Sequence, residues 1–148
     1  MEFGIFIQHY VPNFRREQDP DAEHTVILDD LRVVEAADRA GFKYALIPEH
    51  HFLDEYSHCS NPEVLYGAVA ARTERIRIGY GVRLLPKPYN HPIRTAESVA
   101  VLDLLSDGRV DFGTGRSSTR AELEGFDIDP NETREQWREA LTHIVNAW

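Results

Sequence analysis

The chain has 148 residues, of which 42% are hydrophobic and 28% charged, an ordinary globular composition long enough for one domain, 1–148, with a sizeable core. No apolar run approaches the roughly 20 residues of a membrane helix, and a net charge of −9 argues against a nucleic-acid partner, because no basic stripe is left to meet a phosphate backbone. The single cysteine, Cys59, excludes an internal disulfide; together with an N-terminus that shows neither a basic n-region nor a cleavage pattern, it predicts a cytoplasmic protein.

Phe3-Gly4-Ile5-Phe6-Ile7-Gln8 reads as a strand buried on both faces, apolar and without clean alternation. A polar loop is expected from His9 to about His24, then a helix over 25–40 with Ile27, Leu31, Val34 and Ala37 on one side and Gly41 as its C-terminal cap. The second strand, Tyr44 to Pro48, ends abruptly in Glu49-His50-His51-Phe52. Loops beyond the C-terminal ends of parallel strands line the ligand crevice of α/β proteins, and imidazoles carry protons near neutral pH. Strand parity places His50 with Leu46 and Pro48, opposite Glu49 and His51, so that only one histidine faces the interior.

Asn61-Pro62-Glu63 has the signature of a helix start, and that helix carries Val64, Leu65, Ala68 and Val69. A third strand spans 76–82, interrupted by Gly79 and Gly81, and glycine inside a strand marks a bulge or a close approach. A helix from His91-Pro92 to Leu105 is expected to face Ala96, Val99, Ala100 and Leu104 inward, and a fourth strand follows over 110–115. Arg116-Ser117-Ser118 precedes a short helical stretch. Thr133-x-x-Gln136 has capping-box spacing, and Trp137, Leu141, Ile144 and Trp148 form an apolar stripe on the last helix. Four β-α repeats predict an α/β fold with a parallel sheet. They amount to half of a TIM-like (β/α)8 barrel, which takes about 250 residues when complete.

Several motifs in this order resemble the N-terminal half of the bacterial luciferase-like, flavin-dependent monooxygenases. They are Phe3-Gly4-x-Phe6, Glu49-His50-His51-Phe52, Asn61-Pro62, Leu85-Pro86 with His91-Pro92-Ile93-Arg94-x-Ala96-Glu97, Leu102-Asp103-x-Leu105-Ser106-x-Gly108-Arg109, and Phe112-Gly113-x-Gly115-Arg116. The resemblance covers essentially the whole chain. It implies an oxidoreductase that uses O2 and reduced FMN, supplied by a separate flavin reductase or NAD(P)H, to oxidise a small organic substrate. It further implies His50 as catalytic residue, a non-proline cis peptide at Gly81-Val82 beside the flavin, and Arg116 at the flavin phosphate. Gln8 and Tyr10 are expected in the substrate wall. No metal is expected.

The resemblance also implies a homodimer through helices 61–73 and 91–105, where Ala68, Ala71, Ala96 and Ala100 allow close packing. The C-terminal half of the barrel is missing, so the chain is expected to be a fragment of a longer polypeptide or to complete its barrel by association. Thr114-Gly115 stands where the luciferase light-emitting subunit has a reactive cysteine, which removes support for light emission. Three other readings compete: a deazaflavin-dependent oxidoreductase of the same superfamily, a non-catalytic half-barrel that only assembles, and a metal hydrolase using Glu49, His50, His51, His58 or His91.

Overall fold

The computed structural model describes residues 1–117 and 119–148; Ser118, in the stretch before the short helix, lies outside the described residues. The elements are β1 (Gly4–Phe6), α1 (Asn13–Gln18), α2 (Ala22–Ala40), β2 (Tyr44–Ile47), α3 (Pro62–Arg72), β3 (Arg77–Tyr80), β4 (Arg83–Leu84), α4 (Pro92–Leu105), β5 (Val110–Asp111), β6 (Thr114–Gly115), α5 (Arg120–Gly125) and α6 (Thr133–Ala147). β1, β2, β3 and β5 form one parallel sheet in that order, and β4 pairs with β6, also parallel, in a second. Parallel neighbours need a crossover, and α2, α3 and α4 supply the three crossovers of the larger sheet.

The core lies between that sheet and its helices. Ala45, Ile47, Ile78 and Tyr80 from the strands meet Val34, Tyr66, Val69, Val99 and Leu102 from α2, α3 and α4. Leu85, Ala96, Ala140 and Ile144 join α4 to α6. The opposite face of the sheet is uncovered: Tyr44 and Leu46 are only half buried, and Phe6 is 48% exposed.

Several expectations change. The third and fourth strands each break in two, at the same level of the sheet. Gly113 lies so close to the Tyr80 carbonyl that no β-carbon fits there, and the Arg83 N–H donates to the Gly113 carbonyl just beyond the break at 2.9 Å. The expected loop over 9–24 instead contains α1 and the first turn of α2. Pro12 begins α1, its carbonyl accepting from the N–H groups of Arg15 and Arg16, and the Arg16 guanidinium anchors it to Asp54 at 2.7 Å.

Helix faces also rotate slightly. Val26 rather than Ile27 is buried in α2, Tyr66 rather than Val64 in α3, and Leu102 in α4, while Leu104 is 83% exposed. Ala140 joins Ile144 as the buried part of the α6 stripe, and Trp148 lies at its exposed end. Neither helix-start signature is completed by a side chain: Asn61 makes no capping hydrogen bond, and Thr133 is inside α6 rather than before it. The Thr133 hydroxyl donates to the Pro130 carbonyl instead.

Two polar side chains, Arg109 half-buried and Asp38 buried, fasten the end of the sheet away from the His50 loop. Arg109 donates to the carbonyls of Ala70, Thr73, Ile76 and Ser106 and to the Thr73 hydroxyl. Asp38, 6% exposed, accepts from the backbone N–H groups of Glu74, Arg75 and Ile76 at 3.1, 2.9 and 2.6 Å. Burial opposes the Asp38 charge, but these three donors outweigh it and hold the carboxyl below its ordinary value. Asp38→Ala leaves the donors without a partner and is expected to lower the unfolding free energy by about 2–3 kcal/mol. Urea denaturation at pH 7 measures it, and a loss below about 0.5 kcal/mol would show that water replaces the carboxylate.

Candidate active site

The loop after β2 turns its two histidines apart. His50 lines a cleft of about 360 Å³ with Glu49, Gly81, Val82, Leu84, Arg116, Ser117, Thr119 and Glu122. His51 points into the protein beside it: its Nε2 lies 3.1 Å from Glu49 Oε1, its ring stacks on Tyr89 with centroids 5.8 Å apart, and Phe126 meets it edge-on at 4.8 Å. The two histidines diverge as expected, but β2 itself ends at Ile47, and Glu49, expected on the opposite side, borders the cleft beside His50.

His50 Nδ1 lies 2.9 Å from Glu122 Oε1. Glu122 is 1% exposed and accepts from the hydroxyls of Ser117 and Thr119, both at 2.5 Å, and from the His51 N–H at 3.1 Å. Burial pushes its carboxyl up, yet the hydrogen bonds from His50, Ser117, Thr119 and the His51 N–H overrule it and hold the group at about 2. An ionised Glu122 can only accept, so the neutral imidazole carries its proton on Nδ1 and keeps Nε2 as the basic nitrogen. A carboxylate behind an imidazole fixes both tautomer and ring orientation.

Four of the expected site residues, His50, Gly81, Val82 and Arg116, therefore meet in one cleft. The Gly81–Val82 peptide is cis. A β-carbon on Gly81 would come within 3.2 Å of both Leu46 and Phe6, so glycine lets these two side chains pack closely behind the cleft. Arg116 is not held by the acidic residues that follow it: Glu122 is engaged by His50, and Glu124 pairs with Arg120. Its guanidinium donates to the Thr133 hydroxyl at 3.0 Å and borders a second recess of about 280 Å³ shared with Thr114, Arg134 and Trp137.

Gln8 and Tyr10 lie outside the cleft lining. Gln8 donates to the Tyr56 hydroxyl at 3.1 Å, and the Tyr56 ring packs 5.3 Å from His50, so Gln8 supports the histidine one residue removed. Tyr10 is exposed. Among the described residues, no three His, Cys, Asp or Glu side chains are placed to hold a metal ion, and no helix is long and apolar enough to cross a membrane.

The sequence matches the luciferase-like monooxygenase family over residues 1–148. The chain belongs to that family. Limonene 1,2-monooxygenase of Rhodococcus erythropolis is 36% identical over 144 residues, covering 97% of this chain and 35% of the relative. The oxygenase component of the flavin-dependent trigonelline monooxygenase of Acinetobacter baylyi is 27% identical over 150 residues, covering 100% and 39%. Among solved structures, the monooxygenase RslO1 of Streptomyces bottropensis superposes with a TM-score of 0.84 at 31% identity, covering 97% of this chain and 42% of that one. An F420-dependent secondary alcohol dehydrogenase, at 19% identity and a TM-score of 0.77 over 99% of this chain and 42% of its own, shares the fold alone. The chain thus spans well under half the length of the proteins it is similar to.

In this luciferase-like chain the sequence did not single out Glu122 as the partner of His50, nor Tyr56 or Arg134 as parts of the site. Glu122 was signalled by Thr119-x-x-Glu122, whose capping-box spacing matches the bond observed from the Glu122 N–H to the Thr119 hydroxyl; nothing local tied it to His50, 72 residues earlier. Arg134 and Tyr56 gave no signal. Because the folded Glu122 carboxyl lies near 2 against an ordinary 4.5, its contribution to stability is present above about pH 4.5 and disappears as pH falls toward 2. Denaturation at intervals from pH 6 to 2.5 is expected to give a steeper acid loss in the wild type than in Glu122→Gln; parallel profiles would show that the pair with His50 does not form.

Proposed function

We propose that this chain is the N-terminal half of a (β/α)8-barrel monooxygenase that uses reduced FMN and dioxygen to oxidise a small organic substrate. The observation that carries the proposal is the convergence of His50, its carboxylate Glu122, the Gly81–Val82 peptide and Arg116 on one cleft. The donor set fits the cofactor. Two guanidiniums, Arg116 and Arg134, border the recess that adjoins the cleft and suit a phosphate, while Gly81 and Val82 offer backbone and apolar surface to a flat ring. When bound, reduced FMN supplies the two electrons by which one dioxygen atom enters the substrate and the other leaves as water. His50 Nε2 would accept and return a proton in the cleft, Glu122 would stabilise the imidazolium formed, and Val82 and Leu84 would limit the entry of water. A relative whose name states a flavin is 27% identical over 150 residues, whereas the likeness to the F420-dependent enzyme is one of fold alone, which favours flavin over deazaflavin.

The same proposal gives the uncovered surfaces a purpose. Phe6 lies exposed on the open face of the sheet, and β1 and β5 form its edges, where the second half of the barrel would continue the sheet. Val64, Val101 and Leu105 are exposed on α3 and α4, beside a groove between the two helices, and a homodimer through residues 61–73 and 91–105 would cover them. A half-barrel that only assembles would use these surfaces and leave the cleft empty.

Titration with FMN and with riboflavin, followed by flavin fluorescence and combined with the mass of the chain in solution, tests the reading. Saturable FMN binding is expected, and Arg116→Ala or Arg134→Ala should weaken FMN about tenfold, the loss of one charged hydrogen bond, with riboflavin unchanged. A dimer that binds no flavin would favour the assembly module. Equal losses for both flavins would remove the two arginines from the phosphate.

A further inference from the structure

Glu49 is the most heavily engaged carboxylate beside the cleft after Glu122, and the proposed proton transfer does not use it. It is buried, and its two oxygens clasp the chain around the cleft wall. Oε2 accepts from the Leu84 N–H at 3.0 Å, and Oε1 from the Asn90 amide at 2.8 Å; that amide also donates to the Leu84 carbonyl at 2.9 Å. The Glu49 N–H donates to the Val82 carbonyl. Of the residues that wall the cleft, Leu84 is thus held by the Glu49 side chain and Val82 by the Glu49 backbone.

A buried carboxylate of this kind needs a countercharge. Arg83, 8% exposed, lies with its guanidinium 3.5 Å from Glu49 Oε2 and also pairs with Glu63, 23% exposed, in the first turn of α3. We propose that Arg83 is a positioning residue of the cleft: it supplies the countercharge for the Glu49 carboxylate and through it fixes Leu84, beside the Val82 carbonyl that the Glu49 N–H holds. Glu63 can turn to solvent when Arg83 is lost, and Glu49 cannot. The other titratable groups facing Glu49 are His51, Cys59, Tyr66, Tyr80 and Tyr89. Burial pushes the thiol up to about 12 and all three phenols above their ordinary values, so none of these four gains charge in a series from pH 5 to 9.

The test is thermal unfolding of the 148-residue chain from pH 5 to 9 for Arg83→Met alone and in Glu49→Gln and Glu63→Gln backgrounds, with Arg83→Lys as the conservative variant. At pH 8, Arg83→Met is expected to lower Tm by about 10 °C. The loss should shrink toward pH 5, because a lone buried carboxylate takes up a proton as pH falls. The Glu49→Gln background should recover at least half of it and remove the pH dependence, and the Glu63→Gln background should recover none. If Arg83→Met does not fold, recovery of a folded chain by Glu49→Gln and not by Glu63→Gln is the same result. A Tm loss that is independent of pH and equal in all backgrounds overturns the proposal.

A second readout rests on the flavin reading: Arg83→Met should lose about tenfold in FMN affinity and Arg83→Lys less than threefold, whereas equal losses in both count against positioning. A wild type that binds no FMN sinks the flavin reading alone, since the thermal cycle still decides Arg83.

Discussion

The site depends on the cost of burying a carboxylate. A carboxylate removed from water must be met by several donors or it is expelled. Glu122 meets the demand with His50, the His51 N–H, Ser117 and Thr119. Glu49 meets it with His51, Asn90, the Leu84 N–H and Arg83. Between them the two acids draw together the loop after β2, the β3–β4 junction, the loop before α4 and the start of α5. The cleft is the space left between these segments.

That arrangement decides which groups stay available for chemistry. His51 gives its Nε2 to Glu49 and its backbone N–H to Glu122, and its ring packs against Tyr89 and Phe126. His50 gives only Nδ1, and so presents a basic nitrogen of fixed orientation where an unsupported imidazole would exchange tautomers. The same economy frees Arg116: the acids that follow it are engaged by His50 and Arg120, and its remaining partner is a neutral hydroxyl. A guanidinium beside a second arginine, without a carboxylate partner among the described residues, is poised for an anion rather than for a structural ion pair.

The rest of the fold secures the opposite end of the sheet. Asp38 and Arg109 fasten the N-terminal ends of β3 and β5 by saturating backbone groups that would otherwise be buried unpaired. Stability is thereby concentrated at one end and the loops that carry function at the other, the usual division in parallel α/β proteins. The face bearing Phe6 and Leu46 is the exception. It is apolar and open, and the solved relative RslO1 extends well beyond the stretch this chain matches.

The sequence by itself determined the alternation of strands and helices, because apolar periodicity and glycine or proline punctuation are local properties. It also pointed to the divergence of His50 and His51, on the rule that neighbouring side chains in extended backbone point to opposite faces, although β2 stops at Ile47. Family motifs carried Gly81, Val82 and Arg116 to the site. Only the tertiary structure decided what the acids do. Thr119-x-x-Glu122 reads as a helix start and nothing more until α5 is folded against the loop after β2, and Glu49 reads as the first letter of a motif until Leu84, Asn90 and Arg83 gather round it. Gly79 and Gly81 marked an interruption of the third strand in the sequence, but the matching break at Phe112-Gly113 was not legible there, because the close approach of Gly113 to the Tyr80 carbonyl belongs to both strands. Local pattern fixes what a segment can be, whereas a buried charge is answered by whichever distant donors the fold brings within about 3 Å.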